Sequence, residues 1–285
     1  MSNAGWSSDT RSTFAVFGNP IKHSRSPFIH AEFARQIGLS IQYRAIRVEL
    51  TDFDRATHDF FTAGGSGLNI TVPFKEQAYA LATRLSARAE RAKACNTLVR
   101  DGADIYGDTT DGIGLIRDMI ANHGWQVRER RVLLLGAGGA ARGALEPLLR
   151  ESPAALMIAN RTAIKAQRLA QEFTDLGVVT GGGFDQLDQE PPFDLIINAT
   201  SAGLHGEMPT LSGEILSERC CCYDMVYGAE PTIFMRWAAQ NAAWAVSDGL
   251  GMLVEQAAEA FYIWHRERPD TASVISHLRG TIAAA

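Results

Sequence analysis

Apolar positions recur along this chain in two alternating rhythms, short β-branched or aromatic runs and longer stretches at helical spacing. Thr13 to Phe17 predicts a strand, Pro27 to Ile37 a helix opened by Ser26, and Ile41 to Val48 a second strand. Asp52 to Ala63 continues as a helix and Gly67 to Val72 as a strand, and Pro73 begins another helix at its favoured first-turn position. Asn96 to Arg100 and Ile105 to Gly107 predict a small hairpin around Asp101-Gly102, after which Asp111 starts a helix running to about His123. Beyond Gly124 the order resumes more clearly. Strands are predicted at Arg131 to Leu135, Ala155 to Ala159, Asp194 to Asn198, Cys220 to Met225 and Trp244 to Val246. Helices are predicted at Ala140 to Leu149, Ala163 to Phe173 and Pro231 to Asn241. Such alternation calls for a parallel sheet covered on both faces. Two helical stretches, Met252 to Arg266 and Ala272 to Ala283, finish the chain without a strand to serve, and the first domain is the expected surface for them.

A chain of 285 residues is long enough for two domains, each with its own core. Hydrophobic residues make up 46% and charged residues 21%, an ordinary globular balance that excludes disorder and collagen-like repeats. With 27 Lys plus Arg against 32 Asp plus Glu, the formal charge is −5, and no basic run offers an electrostatic footprint for nucleic acid. No window approaches the roughly 18 apolar residues of a membrane-spanning helix. Met1 to Thr13 is small and polar, lacks the apolar core of a secretion signal, and reads as a disordered start. Three of the 4 cysteines, Cys220, Cys221 and Cys222, are adjacent, so their side chains alternate between strand faces and cannot converge on one metal. Packed, reduced thiols favour a cytoplasmic location. The 7 histidines, His23, His30, His58, His123, His205, His265 and His277, show no paired ligand spacing on one helix face, so no metal is expected.

Gly136-Ala137-Gly138-Gly139-Ala140-Ala141 places Gly-x-Gly-x-x-Ala where a predicted strand turns into a helix. The first glycine permits the tight turn, the second lets backbone approach a pyrophosphate, and the small last residue lets helix and strand pack closely. Free N–H groups at the helix start complete an anion site. The alternative is a tight turn without a ligand. The next strand ends at Asn160-Arg161-Thr162. An NAD site would normally carry a carboxylate there for the ribose 2′-hydroxyl. Arg161, with Lys165 one helical turn on, favours the 2′-phosphate of NADP instead, the bland reading being a solvated arginine after a strand.

The first half contributes polar residues at strand ends: Ser24 and Ser26 before Pro27, and Asn69 and Thr71, which sit two apart on one predicted strand and so share a face. The cluster suits a polyhydroxylated ligand, whose hydroxyls need partners once water is removed. Each of these residues could equally be a cap or turn former, Ser26 above all. Lys75 lies just inside a helix N-terminus, where a cation is disfavoured, and Asp111 begins a helix, where an anion is favoured. Helix propensity therefore explains Asp111 and leaves Lys75 unexplained. A lysine–aspartate pair facing a carbinol would provide acid/base chemistry, and a solvated lysine beside a capping aspartate is the alternative.

The run of motifs resembles the shikimate dehydrogenase family. It passes in order through Phe17-Gly-Asn-Pro20, Ser24-Arg-Ser-Pro27, Asn69-Ile-Thr-Val-Pro-Phe-Lys75, Asn96-Thr97, Thr110-Asp-Gly112, Gly136-Ala-Gly-Gly-Ala140, Asn160-Arg-Thr162, Ile197-Asn-Ala-Thr200, Tyr223-Asp-Met225 and Asp248-Gly-Leu-Gly-Met252. The resemblance implies two α/β domains flanking a cleft: a substrate domain over 1–111, completed by the returning C-terminal helices 251–285, and a Rossmann-type NADP domain over 112–250. It implies an NADP-dependent oxidoreductase interconverting 3-dehydroshikimate and shikimate on the route through chorismate to the aromatic amino acids. By the same likeness Lys75 and Asp111 are the acid/base pair, and Ser24, Ser26, Asn69, Thr71, Asn96, Tyr227 and Gln256 surround the substrate. Gly136, Ala137, Gly138, Gly139 and Ala140 would cradle the pyrophosphate, Asn160, Arg161, Thr162 and Lys165 the adenosine phosphate, and Met225 and Gly249 the nicotinamide end. Two positions depart from the family pattern. Thr109 stands where Asn is frequent, and Lys165 replaces a common Arg, keeping the charge but losing the planar fork. A quinate/shikimate dehydrogenase using NAD is the competing enzyme, and a non-catalytic ligand sensor would have to lose the acid/base pair that this chain retains. The small-molecule substrate is the expected partner, with neither nucleic acid nor membrane, and a homodimer is the assembly considered.

Overall fold

A computed structural model describes residues 12–202 and 207–284. Most of the expected disordered start, and His205, lie outside the described residues. The chain divides into two compact units, 1–110 with Ala257–Asp270, and 111–256 with Thr271–Ala285. The C-terminal stretch expected to return whole to the first domain is thus shared, the division falling inside one long helix.

The first unit begins β1 (Ser12–Gly18), α1 (Ser26–Gln36), β2 (Ile41–Arg47), α2 (Phe53–Thr62), β3 (Gly65–Ile70) and α3 (Lys75–Leu81). It continues β4 (Arg84–Leu85), α4 (Ala87–Ala92), β5 (Thr97–Asp101) and β6 (Asp104–Asp108). Its sheet order is β2-β1-β3-β5-β6-β4. This sheet is mixed: β2, β1 and β3 run parallel, while β5 pairs antiparallel with both β3 and β6. The antiparallel half is the predicted hairpin, turned at Gly102 with φ of 64°. A short hairpin can only join antiparallel neighbours, so this half departs from the parallel order of β2, β1 and β3. Two further boundaries moved. The helix expected from Pro73 starts at Lys75, with Pro73 in the preceding turn, and β3 ends at Ile70, one residue short of Thr71. β4, α4 and the later β9 are too short to leave a periodic signal.

The second unit opens with α5 (Asp111–Arg117), which runs on through a π-helical turn over Asp118–Asn122. Then come β7 (Arg131–Leu135), α6 (Gly139–Arg150), β8 (Ala155–Ala159), α7 (Ala163–Gln171), β9 (Val179–Gly182), β10 (Phe193–Asn198), β11 (Leu216–Asp224), α8 (Ile233–Gln240), β12 (Ala245–Ser247), α9 (Leu250–His265) and α10 (Ala272–Ala283). Every strand pair is parallel, in the order β12-β11-β10-β7-β8-β9. The direction of winding reverses between β7 and β10, the Rossmann arrangement, which opens a binding crevice beyond the carboxyl ends of those strands.

Both faces of this sheet are packed, as its continuous apolar strands require. On β7, Val132 and Leu134 enter one core while Leu133 and Leu135 enter the other. Each such buried side chain contributes about 1.5–3 kcal/mol. The cysteine run obeys the same alternation, with Cys221 on the first face and Cys220 and Cys222 on the second, all buried thiols. In the first unit the core gathers Phe17, Phe53, Phe60, Phe61 and Phe74 between sheet and helices. Gly67 on β3 leaves room for the Trp264 indole, since a Cβ there would meet Nε1 at 2.5 Å. Among the described residues no helix is long and apolar enough to cross a membrane, and no group of three metal-ligating side chains converges.

Candidate active site

In the first unit the polar residues gather where β1 and β3 end. Asn19 ties these ends together, its N–H donating to the Val72 carbonyl at 3.0 Å and its Nδ2 to the Val48 carbonyl at 3.0 Å. Thr71, just past β3, donates its N–H to the Phe17 carbonyl at 2.9 Å, and Gly18 leaves room for its methyl, which a Cβ would approach to 2.5 Å. Lys75 is the first residue of α3 and half-buried; its carbonyl accepts from the Cys95 N–H at 2.9 Å, so the cationic side chain starts the helix as the sequence suggested.

Ser24 and Ser26 flank the entry to α1. The residue capping that helix is Arg25, without a side-chain bond, so the capping role open to Ser26 is not used. The Ser24 hydroxyl instead accepts from the Ser26 N–H at 3.3 Å. Asn69 is buried, and both ends of its amide are occupied. Oδ1 accepts from the Tyr43 hydroxyl at 2.7 Å, and Nδ2 donates to the Asn96 carbonyl at 3.2 Å and the Thr97 hydroxyl at 3.1 Å. Asn96, also buried, clamps Thr110: its Oδ1 accepts the Thr110 N–H at 2.9 Å and its Nδ2 donates to the Thr110 hydroxyl at 2.8 Å. The residue immediately before Asp111 is thereby fixed.

The strand leading to Thr110 is anchored by a second network that spacing did not reveal. Asp108 accepts from Arg88 Nε at 2.7 Å and Nη2 at 2.9 Å, from the Ser86 hydroxyl at 2.5 Å, and from the Thr109 N–H at 2.7 Å. Glu259 accepts from Arg88 at 3.1 Å and also from Arg268. Although burial opposes it, this pairing leaves the Arg88 guanidinium held above its ordinary range. Charges 171 residues apart in sequence carry no local signature of meeting.

In the second unit the glycine loop sits where β7 meets α6. Gly136 has φ of 105°, in the region that favours glycine, and an added Cβ would stand 3.2 Å from the Ala199 carbonyl oxygen. Gly138 and Gly139 have no atom within 4 Å of an added Cβ, and no side chain caps α6. Backbone and the first N–H groups of α6, including those of Ala140 and Ala141, therefore line open space of the kind a pyrophosphate fills. This is the fit expected for a dinucleotide.

Asn160 donates to the Thr162 carbonyl at 3.1 Å and shapes the turn into α7, while Arg161 and Lys165 are exposed beside it. Met225 and Gly249 are brought together. A Cβ on Gly249 would collide with the Met225 carbonyl oxygen, so only glycine fits. Tyr227 is half-buried in the loop after β11, and Gln256 on α9 donates to the Leu253 carbonyl at 2.8 Å. Buried polar bonds brace this half as well. Asp118 accepts from the Tyr223 hydroxyl at 2.6 Å and from Asn122 at 2.8 Å. Despite burial, bonds from His123, Tyr223 and Asn122 hold the Asp118 carboxyl below its usual range.

Comparison with known proteins gives one consistent result. Family profiles match in order: shikimate dehydrogenase substrate binding domain over residues 16–98, shikimate / quinate 5-dehydrogenase over 119–205, and shikimate 5′-dehydrogenase C-terminal domain over 249–279. A shikimate dehydrogenase (NADP(+)) of Alkalilimnicola ehrlichii is 54% identical over 266 residues, covering 93% of this chain and 98% of its own. That of Alcanivorax borkumensis is 55% identical over 268 residues, covering 93% and 96%. Among solved structures, the Ael1 enzyme from Pseudomonas putida superposes with a TM-score of 0.90 at 44% identity over 94% of this chain and 98% of its own. Shikimate 5-dehydrogenase from Thermus thermophilus, in complex with NADP(H) and shikimate, superposes with a TM-score of 0.82 at 32% identity over 94% and 99%. Three domain profiles in register, and relatives alike over nearly the whole of both chains, mean that this chain belongs to the shikimate dehydrogenase family.

Proposed function

We infer that the protein is an NADP-dependent oxidoreductase that reversibly reduces 3-dehydroshikimate to shikimate, a step toward the aromatic amino acids. The observation that carries this reading is 54% identity over 93% of the chain to an enzyme bearing that name, with the glycine loop shaped to receive a dinucleotide. NADP, when bound, supplies or takes up the hydride at C3 of the substrate. Lys75 donates a proton to the oxygen at C3 during reduction and removes it during oxidation, and Asp111 serves as its orienting carboxylate partner. Asn96 supports that role indirectly through its hold on Thr110. Ser24, Ser26, Asn69, Thr71, Asn96, Tyr227 and Gln256 supply the polar surroundings of the ring and its carboxylate, so that C3 is presented in one orientation.

On the cofactor side, the N–H groups of Gly138, Gly139 and Ala140 would hold the pyrophosphate. Arg161 and Lys165, exposed at the start of α7 with Asn160 and Thr162 shaping their turn, would meet the adenosine 2′-phosphate. Met225 and Gly249, packed backbone to backbone, would wall the nicotinamide end. We place the chain in the cytoplasm, where buried, reduced thiols such as these persist.

The test is a steady-state assay crossing shikimate and quinate with NADP and NAD, followed by the near-ultraviolet absorbance of the reduced cofactor. Shikimate with NADP is expected to dominate kcat/KM by at least about tenfold over each other pair. Comparable rates with quinate and NAD would assign the broader enzyme, and no turnover with shikimate would refute the reading.

A further inference from the structure

Tyr43, on β2, was not among the residues that sequence patterns pointed to, yet its hydroxyl holds one of the proposed substrate residues, Asn69. The direction of each hydrogen bond follows from elementary donor counting. The Asn96 carbonyl can only accept, so the Asn69 group facing it at 3.2 Å must be the amide nitrogen, and Oδ1 is the atom left for Tyr43 at 2.7 Å. The phenol has one proton, and it is committed to Asn69.

The ring that sets this geometry is itself clamped. His30 of α1 is fully buried and stacks on Tyr43 with ring centroids 4.3 Å apart and planes 8° from parallel. Trp264 lies tilted against both, 5.2 Å from His30 and 6.3 Å from Tyr43. Burial, with His265 adding repulsion, takes His30 down to about 3, so the stacked ring is uncharged at neutral pH, and burial keeps the phenol protonated.

We propose that Tyr43 is a positioning residue of the substrate site, its clamped hydroxyl fixing the amide plane of Asn69 before the substrate arrives. The inference rests on the reading of Asn69 as a substrate contact. Without the phenol the Asn69 oxygen is buried with one partner fewer, so substrate binding loses preorganisation that the chemical step does not use.

Tyr43→Phe keeps the ring and its stack and deletes the hydroxyl. It is expected to raise KM for shikimate about tenfold, leave kcat within about twofold, and leave KM for NADP unchanged. Asn69→Ala and the double variant complete a cycle, in which the two losses should combine to clearly less than their product because the residues act through one bond. Tyr43→Leu, which removes ring and hydroxyl together, must show the same KM-specific loss if the phenylalanine chain is unstable. Unchanged KM, a fall in kcat equal to the rise in KM, or fully multiplicative losses in the cycle would overturn the proposal. A wild-type chain that neither oxidises nor binds shikimate by calorimetry would overturn the proposed function first, and this inference with it.

Discussion

Acidification should unfold this protein partly through one buried imidazole. His30 falls from 6.5 to about 3 on folding, because burial among aromatic rings disfavours its charged form and His265 repels it. Between those two values the unfolded chain binds a proton that the folded chain refuses, so stability is complete above 6.5 and declines as pH falls toward 3. The slope from this group is about 1.4 kcal/mol per pH unit. From neutrality to about pH 5 the loss is therefore about 2 kcal/mol, a sizeable part of the 5–15 kcal/mol that typically separates folded from unfolded. His265, also held low by burial, adds to the decline with the same sign, and Asp118 and Glu259, both held below their ordinary values, remain ionised in the fold at that pH.

His30→Phe isolates the effect, since it keeps a planar ring on Tyr43 and cannot titrate. Urea unfolding of both chains at neutral pH and at about pH 5 gives two stability differences. The wild-type chain should lose about 2 kcal/mol more than the variant across that interval, whatever the variant costs at neutrality. Parallel pH dependences would refute the reasoning and would mean that His30 is solvated or paired in solution.

Lys75→Ala should lower kcat by about 10² to 10⁴ while KM for shikimate changes little, the signature of a lost proton-transfer group, and near-normal turnover would remove Lys75 from the chemistry. Arg161→Asp should cut the preference for NADP over NAD at least tenfold or so by placing a carboxylate against the 2′-phosphate; unchanged selectivity would show that another group reads it. Arg88→Met strands Asp108, whose side chain is 5% exposed, without its cation. Urea unfolding should register a loss near 3 kcal/mol, and a change below about 1 kcal/mol would mean that Ser86 and the Thr109 N–H suffice to hold that carboxylate.

Much of the architecture was already written in local pattern. β7 and β8 fall where continuous apolar runs placed them, because a strand buried on both faces must be apolar throughout and Gly136 ends the first of them sharply. The glycine loop and the basic pair after β8 were equally legible, since each works through neighbours a few residues away. Thr71 and Pro73 were placed one element too far, because a strand end and a helix start a few residues apart share their turn residues, and only backbone pairing decides the boundary.

Other features came from the assembled chain alone. The antiparallel pairing of β3 with β5, the division of α9 between two compact units and the Arg88–Asp108–Glu259 network all depend on residues far apart in sequence meeting. Tyr43 belongs with them. In its own segment it is an ordinary aromatic on a strand, and His30 an ordinary polar position on the apolar face of α1. Periodicity reports which face a residue occupies and short motifs report which groups share a turn, whereas the partner of a buried hydroxyl is set by how helix and sheet pack, and that was decided only in three dimensions.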